Sequence, residues 1–197
     1  MTKIAKDNVK TPVTDYDVHP LITNRWSPRA FADKAIDDEQ LLELFEAARW
    51  APSAFNEQPW KYVYAHKGSQ GFDQLWDCLT VGNQPWTRHA SVLVVAMIHT
   101  NYQKNGIPNA WAQHDLGLAN AQLFLQATYR NIYGHMMAGF DQSKLTELLS
   151  LDSTTQPICM MALGYLGDPE HLEEPYKARE MSRRTRKPVN EFVTLLS

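Results

Sequence analysis

NAWAQHDLGLANAQLFLQATYRNI, residues 109–132, decides the fold. It has no proline and a single glycine, Gly117, before Gly134 ends it. This predicts one helix over 109–132, about 36 Å long at a rise of 1.5 Å per residue. Trp111, Leu116, Leu118, Ala119, Ala121, Leu123, Phe124 and Ala127 surround much of its circumference. A helix apolar on more than one face is either central or buried in an oligomer interface.

Strands are expected on either side of it. Residues 91–99 (SVLVVAMIH) are apolar throughout, as in a strand covered on both faces. Residues 60–65 (WKYVYA) and 158–166 read as further strands, and 191–196 could be a last one. Asp37 with Gln40 makes a capping box, and Leu41, Leu44, Phe45 and Ala48 give that helix one apolar face. It should stop near Trp50, because Pro52 disfavours helix at Ala51. A short helix is expected over 71–79, and another after Asp141 carrying Leu145, Leu148 and Leu149. Strands separated by helices, without a regular βαβ period, predict a single α+β (mixed α/β) domain over 1–197, with 1–15 a loose arm.

Composition bounds the function. The 197 residues are 44% hydrophobic and 21% charged, which excludes a disordered chain. A formal charge of −3 gives no global basic excess, so nucleic acid is not an expected partner. The two cysteines, Cys78 and Cys159, suit buried reduced thiols rather than a disulfide framework or a zinc site. No signal peptide or membrane-length apolar run is visible, so a cytoplasmic protein is expected. No two histidines stand three or four residues apart, so no helical metal pair exists. His114-Asp115 looks like an acid–base pair, but adjacent helical residues are expected to point apart. G-x-G-x-x-G, the phosphate-loop motif and G-x-S-x-G are all absent, and Gly164-Tyr-Leu-Gly167 reads as a strand end and a turn.

Three segments could form a site. In Arg25-Trp26-Ser27-Pro28-Arg29-Ala30-Phe31, Pro28 keeps Ser27 out of helix, so two guanidiniums and a hydroxyl sit on a short stiff piece. That is an anion clamp, although locally two surface arginines in ion pairs explain it as well. Ala51-Pro52-Ser53-Ala54-Phe55-Asn56-Glu57-Gln58-Pro59-Trp60 offers mixed donors and acceptors on a proline-stiffened loop. Such groups suit a heterocycle, and a capped connector is the plainer alternative. Arg183-Arg184-Thr185-Arg186-Lys187-Pro188 suits a phosphate or a solvated surface.

Taken together and in this order, R-x-S-x-R-x-F and A-P-S-x-x-N-x-Q-P-W resemble the nitroreductase family of flavoproteins. Asn83, Asp115, Met136-Met137-Ala138-Gly139-Phe140-Asp141, Leu163-Gly164-Tyr165 and the basic C-terminal run follow in the family's order, so the resemblance covers about residues 15 to 195. It implies a mostly antiparallel central sheet flanked by helices, with the long helix at an obligate homodimer interface. It implies bound FMN, with Arg25, Trp26, Ser27, Arg29, Arg184 and Arg186 at the phosphate and ribityl chain. Pro52, Ser53, Ala54, Asn56 and Gln58 would reach FMN from the other subunit. Asn83 would stand beside the flavin, and Met137, Ala138 and Gly139 near its ring, where a backbone N–H faces N5.

The implied activity is NAD(P)H-dependent reduction of a nitroaromatic, quinone or similar electron-poor acceptor, by a ping-pong mechanism. No catalytic acid or base is named, because the cofactor carries the chemistry. Trp60, Trp111 and His114 are candidates for the pocket wall. Trp26 and Trp86 stand where relatives often carry basic residues, which implies less positive charge near the flavin. The alternatives are another reaction on the same fold, such as reductive dehalogenation or flavin fragmentation, and a non-catalytic flavin-binding protein.

Overall fold

The computed structural model describes residues 9–196. Strands β1 (Trp60–His66), β2 (Val92–His99), β3 (Tyr133–Met137) and β4 (Thr155–Gly164) form one sheet in the order β1-β2-β4-β3, antiparallel at every step. Helices α1 (Pro20–Asn24), α2 (Asp38–Arg49), α3 (Gln70–Asp77), α4 (Gln84–Thr87), α5 (Ala112–Tyr129), α6 (Gln142–Leu148) and α7 (Tyr176–Met181) connect and cover it. The fold is therefore α+β.

β2 explains the layering, because strand side chains alternate between faces. Val92, Val94, Ala96 and Ile98 pack with Leu41, Leu44 and Ala48 of α2 and Leu116, Ala119, Leu123 and Ala127 of α5. Leu93, Val95 and Met97 pack on the opposite face with Phe72 and Leu75 of α3, Trp86 of α4 and Leu145 of α6. Both faces are covered, which is why this strand reads as an unbroken apolar run.

α2 starts as its sequence dictates. The Asp37 carboxylate accepts from the Gln40 amide at 2.8 Å, and the Gln40 side chain accepts from the Asp37 amide. Asp141 likewise caps α6, accepting from the Lys144 amide at 3.0 Å.

Other boundaries differ from expectation. α5 has 18 residues, about 27 Å, rather than spanning 109–132. At its start the Asn109 side chain accepts the Trp111 amide and holds a turn. At its end Asn131, at φ 58°, takes the left-handed conformation, and the Ile132 amide returns to the Ala127 carbonyl. Asn131, not Gly134, therefore ends the helix. Residues 136 and 137 belong to β3, not to a loop. No strand forms over 191–196: Val189–Glu191 is a 3₁₀ turn, and Phe192, Val193, Leu195 and Leu196 are exposed. The only sheet among the described residues has β1 and β3 as its edges, and the tail pairs with neither. Residues 1–8 of the expected arm lie outside the described residues, and Lys10 at its root is buried.

Candidate functional site

The segment between α1 and Phe31 has no regular structure, and side chains hold its backbone polar groups in place. Arg184 donates from Nη2 to the Thr23 carbonyl, from Nη1 to the Arg25 carbonyl at 2.8 Å, and from Nε to the Lys10 carbonyl at 2.7 Å. His135 on β3 bonds the Pro28 carbonyl through Nδ1 at 3.0 Å. Glu180 of α7 accepts from the amides of Arg29 and Ala30. Two bridging pairings, Phe31 with Leu166 and the Gly167 amide with the Ala30 carbonyl, anchor its far end. A Cβ on Gly167 would lie 2.5 Å from the Phe31 backbone, so only glycine permits this approach.

This arrangement concentrates positive charge. Burial pushes the Arg25 guanidinium down, and the charge of Arg186 adds to it. Burial and the charges of Arg186 and Arg25 do the same to Arg184. Among the described residues, no carboxylate lies within ion-pair distance of Arg25, Arg29, Arg184 or Arg186. The Trp26 ring meets Tyr133 edge-on, and the Lys10 ammonium sits 4.8 Å from the Trp26 ring centre. Positive charge thus returns to position 26 on a lysine that no local pattern marks. Trp86 is buried among Phe31, His135 and, at 5.8 Å, the Arg29 guanidinium. It is a core residue beneath the clamp.

Farther along β3, Asn83 and the 137–139 segment come together. The Gly139 carbonyl accepts from Asn83 Nδ2 at 3.0 Å and from the Thr80 amide at 3.1 Å. A Cβ on Gly139 would lie 2.7 Å from Thr80 Oγ1 and 2.8 Å from Asn83 Nδ2. Trp26 lies by Tyr133, Pro28 by His135, and Asn83 by the end of the strand. The clamp and the 137–139 segment therefore lie along one edge of the sheet, about 13 Å of strand from residue 133 to 137.

The loop at 52–58 lies elsewhere. Phe55, Asn56 and Gln58 have positive φ, and Ser53 Oγ accepts the Gln58 amide at 3.0 Å. The Ala54 amide donates to Asp115 Oδ2 at 2.9 Å, pinning the loop to the first turn of α5. Asp115 is buried, and its Oδ1 lies 3.0 Å from His114 Nδ1. His114 and Asp115 do form a local pair, contrary to expectation, because the ring nitrogen reaches around the open first turn. Trp111 stands exposed against His114, and Trp60 packs on the α2/α5 core. Tyr133, by contrast, follows the end of α5. From Asp115 to Ala127 the helix rises about 18 Å, so the 52–58 loop and the Trp26–Tyr133 contact lie toward opposite ends of α5.

A family model described as the Nitroreductase family matches residues 22–80 and 72–165. The chain belongs to the nitroreductase family. A solved structure described as an oxidoreductase containing FMN is 34% identical, with a TM-score of 0.88 over 92% of this chain and 93% of that one. A Streptomyces coelicolor protein bearing the name NADH dehydrogenase/NAD(P)H nitroreductase is 27% identical over 76% of this chain and 83% of its own length. A Streptococcus pneumoniae nitroreductase family protein, 22% identical with a TM-score of 0.73 over 89% of this chain and 98% of that one, shares the fold. Sequence reasoning missed four residues that touch the candidate segments of this nitroreductase-family chain: Lys10, Thr80, His135 and Glu180. Each acts on residues distant in sequence, and no local pattern marks it.

Proposed function

We propose that the chain is an FMN-dependent oxidoreductase that takes electrons from NAD(P)H and works as a homodimer. The observation that carries this reading is the group of Arg25, Arg184 and Arg186, whose charges act on one another with no carboxylate paired to them among the described residues. A donor set of half-buried guanidiniums with the exposed Arg186 beside them fits a phosphate monoester, because the planar fork matches phosphate oxygens. Arg25, Ser27, Arg29 and Arg186 would hold the phosphate and ribityl end, with Trp26 and Lys10 beside them. Arg184 spends three N–H groups on backbone carbonyls and keeps two, so it both shapes the turn and adds charge. Asn83, Met137, Ala138 and Gly139 would face the ring. When bound, FMN supplies hydride acceptance from the nicotinamide and electron delivery to an electron-poor acceptor such as a quinone or nitroaromatic.

The separation along α5 supports the dimer. Pro52, Ser53, Ala54, Asn56 and Gln58 are too far from the clamp of their own chain to join it, and a second copy brings them there. Leu42, Trp50 and Tyr129 leave apolar area exposed on α2 and α5, as an oligomer face would. With one site visited in turn by reductant and acceptor, the kinetics are ping-pong. The test is the visible spectrum of the freshly purified protein, followed by NADH and NADPH oxidation with a quinone. A colourless protein that neither binds added FMN nor oxidises either nucleotide would refute the reading. So would intersecting double-reciprocal lines for the mechanism, or a sedimenting monomer that retains FMN for the dimer.

A further inference from the structure

We propose that Glu180 is a positioning residue for the anion clamp: its carboxylate occupies the backbone amides of Arg29 and Ala30 and fixes the turn that presents the clamp's side chains to an anionic group. The inference rests on the reading of the Arg25–Arg29 segment as a phosphate site.

Glu180 lies on α7 and is 2% exposed. The Arg29 amide donates to Oε2 at 2.9 Å and to Oε1 at 3.1 Å, and the Ala30 amide donates to Oε1 at 3.1 Å. Two successive amides aimed at one point make a concavity that binds anions. Here the protein's own carboxylate fills it. These two donors are taken by α7, so a phosphate at the clamp does not meet them. Glu180 also faces the charges of Arg29 and Lys10. It thus holds the turn at Arg29 and Ala30, while Arg184 holds the Thr23 and Arg25 carbonyls. Deleting the carboxylate would orphan two inward amides and release the segment that carries Arg25 and Arg29.

Two roles for this carboxylate predict opposite signs. If Glu180 acted only as a negative charge near a phosphate, neutralising it would tighten FMN binding. If it positions the turn, removing it weakens FMN. The full-length apo protein is titrated with FMN and with riboflavin, which differ by the phosphate, in wild type, Glu180→Ala, Glu180→Gln and Arg25→Ala. Glu180→Ala is expected to weaken FMN at least about tenfold and riboflavin less than about threefold. Glu180→Gln keeps one acceptor oxygen and should fall between wild type and Glu180→Ala; it carries the test if the alanine variant fails to fold. If Arg25→Ala selectively weakens FMN while both Glu180 variants leave it unchanged or tighter, the proposal is overturned and the phosphate reading stands. If Arg25→Ala weakens both flavins equally, the phosphate reading fails and the proposal falls with it.

Discussion

His135 gives the prediction with the clearest magnitude. Burial, with a contribution from the Arg29 charge, pushes its ring from the usual 6.5 down to about 4, against the raising effect of the Pro28 and Ser27 backbone. Below pH 6.5 the unfolded chain takes up a proton that the folded ring refuses. Stability from this group is therefore complete above about pH 6.5 and is lost as pH falls toward 4. A difference of about 2.5 in pKa at 1.36 kcal/mol each amounts to about 3 kcal/mol in full, of which about 2.5 kcal/mol is gone at pH 4.5. His135→Asn keeps an N–H for the Pro28 carbonyl and has no charge to gain. Urea unfolding of both proteins at about pH 7 and pH 4.5, at one fixed protein concentration, reads the effect. Wild type should be the more stable at pH 7, and the gap should close by about 2.5 kcal/mol at pH 4.5. A gap that stays the same at both pH values would refute the idea that the ring is held neutral by burial.

Three further outcomes are expected. Arg29→Ala should weaken FMN about ten- to a hundredfold and riboflavin little, since a charge-assisted hydrogen bond contributes about 1.5–3 kcal/mol; equal losses in a flavin titration would remove Arg29 from the phosphate site. Gly139→Ala should destabilise by about 1–3 kcal/mol in denaturant melts, because the new methyl meets Thr80 Oγ1 and Asn83 Nδ2 below 3 Å, and an unchanged midpoint would show that the segment yields freely. Asp115→Ala orphans the Ala54 amide and should cost about 1–3 kcal/mol while exposing the 52–58 loop to proteases; cleavage at the wild-type rate would show that α5 does not pin this loop.

Elements whose cause is local were legible in the sequence. α2 announces itself through Asp37 and Gln40, and β2 through an apolar run that only a doubly covered strand tolerates. β3 was not legible, because Gly134 interrupts it and His135 breaks the apolar pattern. Both belong there for tertiary reasons: a Cβ on Gly134 would lie 1.9 Å from the Phe124 ring on α5, and His135 serves the Pro28 carbonyl. The excess length expected for α5 has a similar origin, since Asn109 and Asn131 both end helices yet neither breaks a pattern as proline does. The apolar tail resembled a strand but pairs with neither edge of the sheet among the described residues. For the site, the motifs named Trp26, Asn83 and Gly139, which gather along β3, and Met137, which is buried. The ones that hold them, Glu180, Lys10 and His135, reach across more than a hundred residues of sequence.

The wiring of the clamp also dictates when the site can exist during synthesis. Thr23, Arg25, Arg29 and Ala30 leave the ribosome early, but their backbone groups wait for Glu180 and Arg184, 150 or more residues later. The sheet partner of β2 and β3 arrives only with residues 155–164. The turn from Thr23 to Ala30 is therefore held in place only once residues 180–184 have been made. A premature stop before residue 180 would spare every strand of the sheet and both large helices and still leave this turn without the side chains that hold it.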